Sequence, residues 1–288
     1  MQVIKPDTEY KIEQFPFFDE RQATFYLYRT EVATREAVLR TNGTGHHSLK
    51  LLDVGCGLGM QAARLALRGW ETYGVDASES MLQLGRFKFP VVRNRVQMAR
   101  GIAESLPFAD NTFDLVMCQG AMDHFADRHR FVQEVARVLK PDGYLVVALA
   151  NYDSLACRIG KTMHRMMGKI GVRTPRRYRF WGIPDDHTFA GSPRVVKELG
   201  SGRLKLVSVH GASMFLFLPP WRNFLEILSY PAAAATFRVV DRLAHRFSSA
   251  ADVMIATWRK EPTGSRRQAP PDDWTTQSSA APPVLARP

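Results

Sequence analysis

Little in this sequence suits life outside a cell. It has three cysteines, Cys56, Cys118 and Cys157, and no C-x-x-C pair. That odd number excludes a simple disulfide framework, and no zinc or other metal centre is expected. No uncharged apolar run reaches the ~18 residues of a spanning helix. The opening stretch, MQVIKPDTEYKIEQ, is polar and does not read as a signal peptide. A cytoplasmic protein is therefore expected. There is no internal repeat. Acids are also missing from one long stretch. Between Leu155 and Pro184 there are eight Lys or Arg and no Asp or Glu. The formal net charge of the whole chain is +11, so its basicity is concentrated there. At 288 residues the chain can bury a full core as one domain with additions.

The informative stretch is LLDVGCGLG, residues 51 to 59. Leu51, Leu52 and Val54 read as a short buried strand. Gly55, Gly57 and Gly59 open backbone angles closed to other residues and let a ligand reach the main chain. Met60 to Arg68 should form a helix ending at Gly69, with its N-terminal amides facing the loop. A second strand, WETYGVD, ends at Asp76. That acid lies 21 residues after Gly55, close to the ~20-residue spacing at which an acid takes ribose hydroxyls.

Two ligand classes use such loops. The dinucleotide fingerprint G-x-G-x-x-G/A needs a small residue where this chain has Met60; the small residue comes one position early, at Gly59. Asp53 also sits two residues before the first glycine. An acid there repels a pyrophosphate and suits a ligand with an ammonium and a sulfonium. The chemistry favours S-adenosylmethionine (SAM) over NAD.

Four blocks, LLDVGCGLG, YGVDAS, GIAESLPFADNTFDLVMCQGAMDHF and EVARVLKPDGYLVVA, together resemble the class I SAM-dependent methyltransferases. The sequence is most similar to the group that includes the ubiquinone and menaquinone biosynthesis methylases. The resemblance is dense over residues 48 to 150 and loose over 185 to 260. It implies an α/β, Rossmann-like three-layer sandwich: a seven-stranded, mostly parallel sheet with an antiparallel last strand, plus helical insertions. It also implies residue roles. Asp53, Gly55, Cys56, Gly57 and Gly59 would surround the methionine part of SAM. Asp76 would take both ribose hydroxyls, with Ala77 and Met81 flanking the adenine. The family usually carries Asp-Ala where this chain has Ile102 and Ala103, and Ile102 cannot accept from the adenine amino group. By the same resemblance the Ala103 amide would still reach the ring, and Glu104 is a candidate substitute. Cys118 and Gln119 would offer backbone to the amino-acid end of the cofactor.

The remaining pattern is regular. FDLVMC reads as the fourth strand, DRHRFVQEVARVLK as an amphipathic helix, PDG at 141 to 143 as a turn and YLVVALA as the fifth strand. LKLVSVHG and DVMIATWRK would be the last two strands. Residues 1 to 260 are thus expected to form the methyltransferase domain. Residues 1 to 48 should be a helical lid, with a helix starting at Asp19 and with Tyr26 and Tyr28 either packed or facing substrate. Residues 151 to 186 form a basic insertion and 211 to 250 an apolar helical insertion. The tail, 261 to 288, is rich in Pro, Ser, Thr and Ala and is expected to be disordered.

Acceptor choice should live in the insertions, since the sheet is occupied with cofactor. In the basic one, Leu155, Ile159, Met163, Met166 and Ile170 fall in a narrow helical arc, and Arg158, Lys161, Arg165 and Lys169 in another. Such a helix fits a membrane surface or acidic partner over 155 to 181, or packs its apolar stripe on its own domain. Nucleic acid is disfavoured, because aromatics come only after the helix. The apolar insertion could wall a pocket, dock on a bilayer or pair subunits into a homo-oligomer.

SAM methylation needs alignment more than acid–base help. A phenol or enol acceptor needs a base. His124 and His187 are the catalytic candidates, with Asp123 and Asp186 beside them to tune either. The expected activity is methylation of a small, hydrophobic acceptor, with oxygen favoured. Methylation of a ring carbon in a quinone or lipid precursor at the membrane surface competes with it. A non-catalytic SAM-binding protein that uses its basic segment on a partner is the alternative of another class.

Overall fold

The computed structural model describes residues 49–172, 179, 181–200, 203–215, 221, 224 and 227–261. The expected N-terminal lid, with Asp19, Tyr26 and Tyr28, lies outside the described residues, as does the tail beyond Glu261. The elements run β1 (Lys50–Val54), α1 (Met60–Ala66), β2 (Glu71–Asp76), α2 (Glu79–Lys88), α3 (Pro90–Arg95), β3 (Val96–Arg100) and β4 (Phe113–Gln119). There follow α4 (Arg128–Val138), β5 (Leu139–Ala150), α5 (Leu155–Lys169), α6 (Pro193–Leu199), β6 (Leu204–Ala212), α7 (Tyr230–Arg246) and β7 (Val253–Lys260).

The seven strands form one sheet in the order β3-β2-β1-β4-β5-β7-β6. The first five are parallel, and β7 lies antiparallel between β5 and β6. Alternation along each strand explains the layers. Leu52, Val116, Val147 and Ala256 face one side, where they pack with Phe131 and Val135 of α4 and with Val196 and Leu199 of α6. Leu51, Leu115, Val146 and Ile255 face the other, against Ala62, Ala63 and Leu65 of α1 and Val92 of α3. Both faces are buried, so the strands read as continuous apolar runs.

Capping fixes where the helices begin. Ser78, Asp127, Ser154 and Ser192 each accept a backbone N–H of the first turn of α2, α4, α5 and α6. The PDG stretch is not a separate turn. It is carried inside β5 as an irregularity, with Asp142 at φ +65° and the register to β4 shifting between Phe113 and Leu115. A short polar side chain tolerates that left-handed angle, so the strand need not end there.

Candidate functional site

The glycine loop leaves the carboxyl end of β1, where parallel sheets of this kind open a crevice. Gly55 and Cys56 donate their N–H groups to the Val75 carbonyl at 2.8 and 3.1 Å, which locks the loop to β2. Gly57 N–H donates to Asp76 Oδ2 at 2.7 Å, and Ser78 N–H to Asp76 Oδ1 at 2.9 Å. One carboxylate thus holds both the loop and the start of α2, and each oxygen keeps a lone pair for a ligand. Gly55, Gly57 and Gly59 all have positive φ, 72°, 50° and 74°. A Cβ on Gly55 would lie 2.3 Å from Ala121 Cβ, whereas one on Gly57 would meet only Met81 Cε, at 3.5 Å. Gly55 therefore serves packing, and Gly57 faces open space.

Two groups behind the loop lack what a ligand could bring. Asp53 is buried, and burial together with the neighbouring Asp76 pushes its pKa up to about 8. Gln119, at the end of β4, has a buried side-chain NH₂ with no partner among the described residues. A carboxyl short of a cation and an amide short of an acceptor match the ammonium and carboxylate of an amino-acid ligand. The thiols of Cys56 and Cys118 are pushed well up, first by burial and then by Asp53, so neither is a nucleophile at neutral pH.

The loop after β3 is held from behind. Arg137 donates to the Leu106 and Phe108 carbonyls, and Glu134 accepts the Leu106 N–H. Ile102 pairs with Ser105 in an isolated bridge, and Ala103 is buried. Glu104 is buried too, and its Oε1 accepts the Asp127 N–H at 3.1 Å. That side chain is therefore tied to the N-cap of α4 through one oxygen. Ala77 is exposed and its carbonyl accepts from Arg100, while Met81 is half-buried beside Gly57.

His124 and His187 come together, although 63 residues separate them in the chain. Their rings meet edge to face with centroids 4.6 Å apart. Asp123 and His124 sit on a single turn, Met122–His124, just past β4. The loop carrying His187 is pinned to that turn by Thr188. Its N–H donates to the Asp123 carbonyl at 2.7 Å, and its hydroxyl to the Phe125 carbonyl at 2.7 Å. His187 Nδ1 lies 3.2 Å from Asp123 Oδ2 and 3.2 Å from the Tyr152 hydroxyl. Asp186 Oδ2 is 3.5 Å from His124 Nδ1. Burial holds the His187 pKa below its ordinary value, against the pull of Asp123. The turn lies against the glycine loop, since Ala121 and Phe125 are the neighbours of Gly55. Tyr152 and Thr188 were missed in the sequence. Tyr152 was open to inference, because it follows β5 at the carboxyl edge of the sheet, where ligands gather.

A methyltransferase-domain family model matches residues 52–147. The demethylmenaquinone methyltransferase of Corynebacterium kroppenstedtii is 37% identical over 186 residues, covering 57% of this chain and 76% of that protein. The chain belongs to the SAM-dependent methyltransferases. S-adenosyl-L-methionine is the cofactor of the family, and the buried Asp53 carboxyl and Gln119 amide beside the glycine loop fit it. A methyltransferase of Bacillus subtilis, YcgJ, is 41% identical over 95 residues, covering 33% of this chain and 38% of YcgJ. The chain thus spans well under half the length of that relative. The crystal structure of MccD protein has the same fold, with a TM-score of 0.51 at 18% identity over 81% of this chain and 96% of that one.

Proposed function

We propose that this methyltransferase methylates a hydroxyl oxygen on a small, apolar acceptor. The observation that carries the reading is the Asp123–His124–His187 cluster beside the glycine loop. Two half-buried imidazoles and a buried carboxylate are suited to draw a proton from a hydroxyl. A neutral amine has its lone pair already available and needs no such cluster, whereas methylation at a hydroquinone carbon would call on the same base. The cofactor supplies an activated methyl group. Around it, Gly55, Gly57 and Gly59 give the backbone approach, with Cys56 lining the same loop. Asp53 and Gln119 take the ammonium and carboxylate, with the Cys118 backbone alongside. Asp76 takes the ribose, and Ala77, Met81, Ile102, Ala103 and Glu104 border the adenine. His187 and His124, oriented by Asp123 and Asp186, hold the acceptor hydroxyl. The test is to incubate the full chain with methyl-labelled SAM and a set of phenols, enols and hydroquinones. Label recovered as a methyl ether is the expected result. Label on ring carbon, or no turnover with SAM still bound, would overturn the reading.

A second reading concerns where the acceptor is met. The helix α5 buries its small face, Ala156, Cys157 and Gly160. Its large apolar residues stay outside, with Met163 54%, Met166 64% and Ile170 76% exposed. Most of that stripe is therefore exposed, with Ile159 half-buried. Arg158, Arg165 and Lys169 are exposed on the same helix. No helix among the described residues is long and apolar enough to cross a membrane. We propose that α5 lies on an anionic bilayer surface, as each Lys or Arg there contributes ~1 kcal/mol. The protein is expected to sediment with anionic liposomes, less with neutral ones and less in high salt. Reversing Arg158, Lys161, Arg165 and Lys169 to Glu should release it and leave SAM binding intact. Indifference to anionic liposomes at low salt ends the idea.

A further inference from the structure

The same cluster has a property that proton transfer does not require. Asp123, His124 and His187 each offer a ligand atom, and these atoms lie within 4.8 Å of one another. An acid–base pair needs one imidazole and one carboxylate. Here two imidazoles converge on one buried carboxylate, and a second carboxylate, Asp186, stands 3.5 Å from His124 on an exposed, movable side chain. Asp123 Oδ1 is buried, has no hydrogen-bond partner among the described residues, and faces His124 Nε2 only at 4.0 Å. A buried carboxylate oxygen left unpaired is costly unless something cationic meets it.

The scaffold is also held as a metal site should be. Thr188 ties the two ligand-bearing segments together through the Asp123 and Phe125 carbonyls. Phe189, the next residue, packs on the core under the Arg128 guanidinium. The segments that carry the ligands are therefore fixed relative to one another by the fold. The Tyr152 hydroxyl lies 3.2 Å from His187 Nδ1, the nitrogen that also faces Asp123, so Tyr152 borders the cluster.

We propose that Asp123, His124 and His187 bind one divalent first-row cation of the zinc class. Two imidazoles and one carboxylate form the donor set that suits such ions, and three protein ligands leave a position open. The cation site stands on this geometry alone; its use in turnover rests on the O-methylation reading. An acceptor oxygen at the open position would lose its proton to solvent, because a bound cation lowers the pKa of an attached hydroxyl. The oxygen lone pair then forms the O–CH₃ bond as the methyl–sulfur bond breaks and leaves a neutral thioether.

The experiment uses full-length, tag-free protein stripped with chelator and titrated with Zn²⁺ by calorimetry, with Co²⁺ as the absorbing probe. One site per chain is expected, with a ligand-field band for Co²⁺. Asp123→Asn and His187→Gln should each weaken Zn²⁺ by roughly 10–100-fold or more. His129→Gln, an exposed histidine on α4, should change nothing. Thermal stabilisation by SAM should persist in every variant, which shows that the fold is intact. If wild type binds Zn²⁺ no more tightly than the Asp123→Asn, His187→Gln double variant, the cation site does not exist. If Zn²⁺ binds one to one at the cluster but no hydroxyl is methylated, the O-methylation reading fails and the cation site stands.

Discussion

Gly57→Val is expected to abolish SAM binding while the domain stays folded. The two effects separate because of where Gly57 stands. Its Cβ would meet only Met81 Cε, at the ordinary contact distance of 3.5 Å, the end of a flexible side chain. Its φ of +50° does penalise any side chain, by ~1–2 kcal/mol, a loss of a few degrees in melting temperature. The open space that spares the fold is the space through which a ligand reaches the loop backbone. A ligand at 100 times its Kd stabilises by about 2.7 kcal/mol, which makes its loss easy to read. Thermal denaturation with and without SAM is the measurement. A variant stabilised by SAM as strongly as wild type would show that the cofactor does not approach at Gly57.

Asp53→Asn should weaken SAM binding and yet make the ligand-free protein more stable at alkaline pH. In the folded, ligand-free chain Asp53 holds its proton up to about pH 8. In the unfolded chain it ionises near 3.8. Between those values the native state binds the extra proton, so stability falls as pH rises, by roughly 1.4 kcal/mol per pH unit for a single such group. The loss is complete above about pH 8. Asparagine has the same shape without that slope, so the variant's melting temperature should exceed wild type most at pH 8 to 9 and little near pH 4. The ammonium of SAM should favour the carboxylate and expel the proton. Calorimetry at pH 7 in two buffers of different ionisation enthalpy should therefore show proton release for wild type and none for Asp53→Asn. The charge-assisted contact is worth ~1.5–3 kcal/mol, about 10–150-fold in affinity. Equal SAM affinity in the two proteins, with no buffer dependence, would remove Asp53 from the site.

What could be read in the sequence was what is local. The strand–loop–helix around Gly55 and the acid at Asp76 are set by neighbours a few residues apart, and the structure joins them by the 2.7 Å bond from Gly57 to Asp76. Apolar runs at Leu51, Leu115 and Val146 marked buried strands because both sheet faces are covered. The packing of α5 was not legible. Its apolar periodicity is strong, but the face that docks is the small one at Ala156, Cys157 and Gly160, chosen by how closely the backbone approaches the domain. The convergence of Asp123 and His187 was hidden for a related reason. It depends on Thr188 bonding across the fold, a tertiary contact that no spacing records.

The basic insertion is fastened at both ends. At one end, Asn151 donates its side-chain NH₂ to the Ser249 and Ala251 carbonyls. At the other, Thr188 is bonded to Asp123 and Phe125. The exposed positions of α5 between those clamps, such as Met163, Met166 and Lys169, can change without touching His187. Such a segment is open to exchange over evolutionary time. Descendants of this chain could trade one exposed surface for another while inheriting an undisturbed Asp123–His187 cluster.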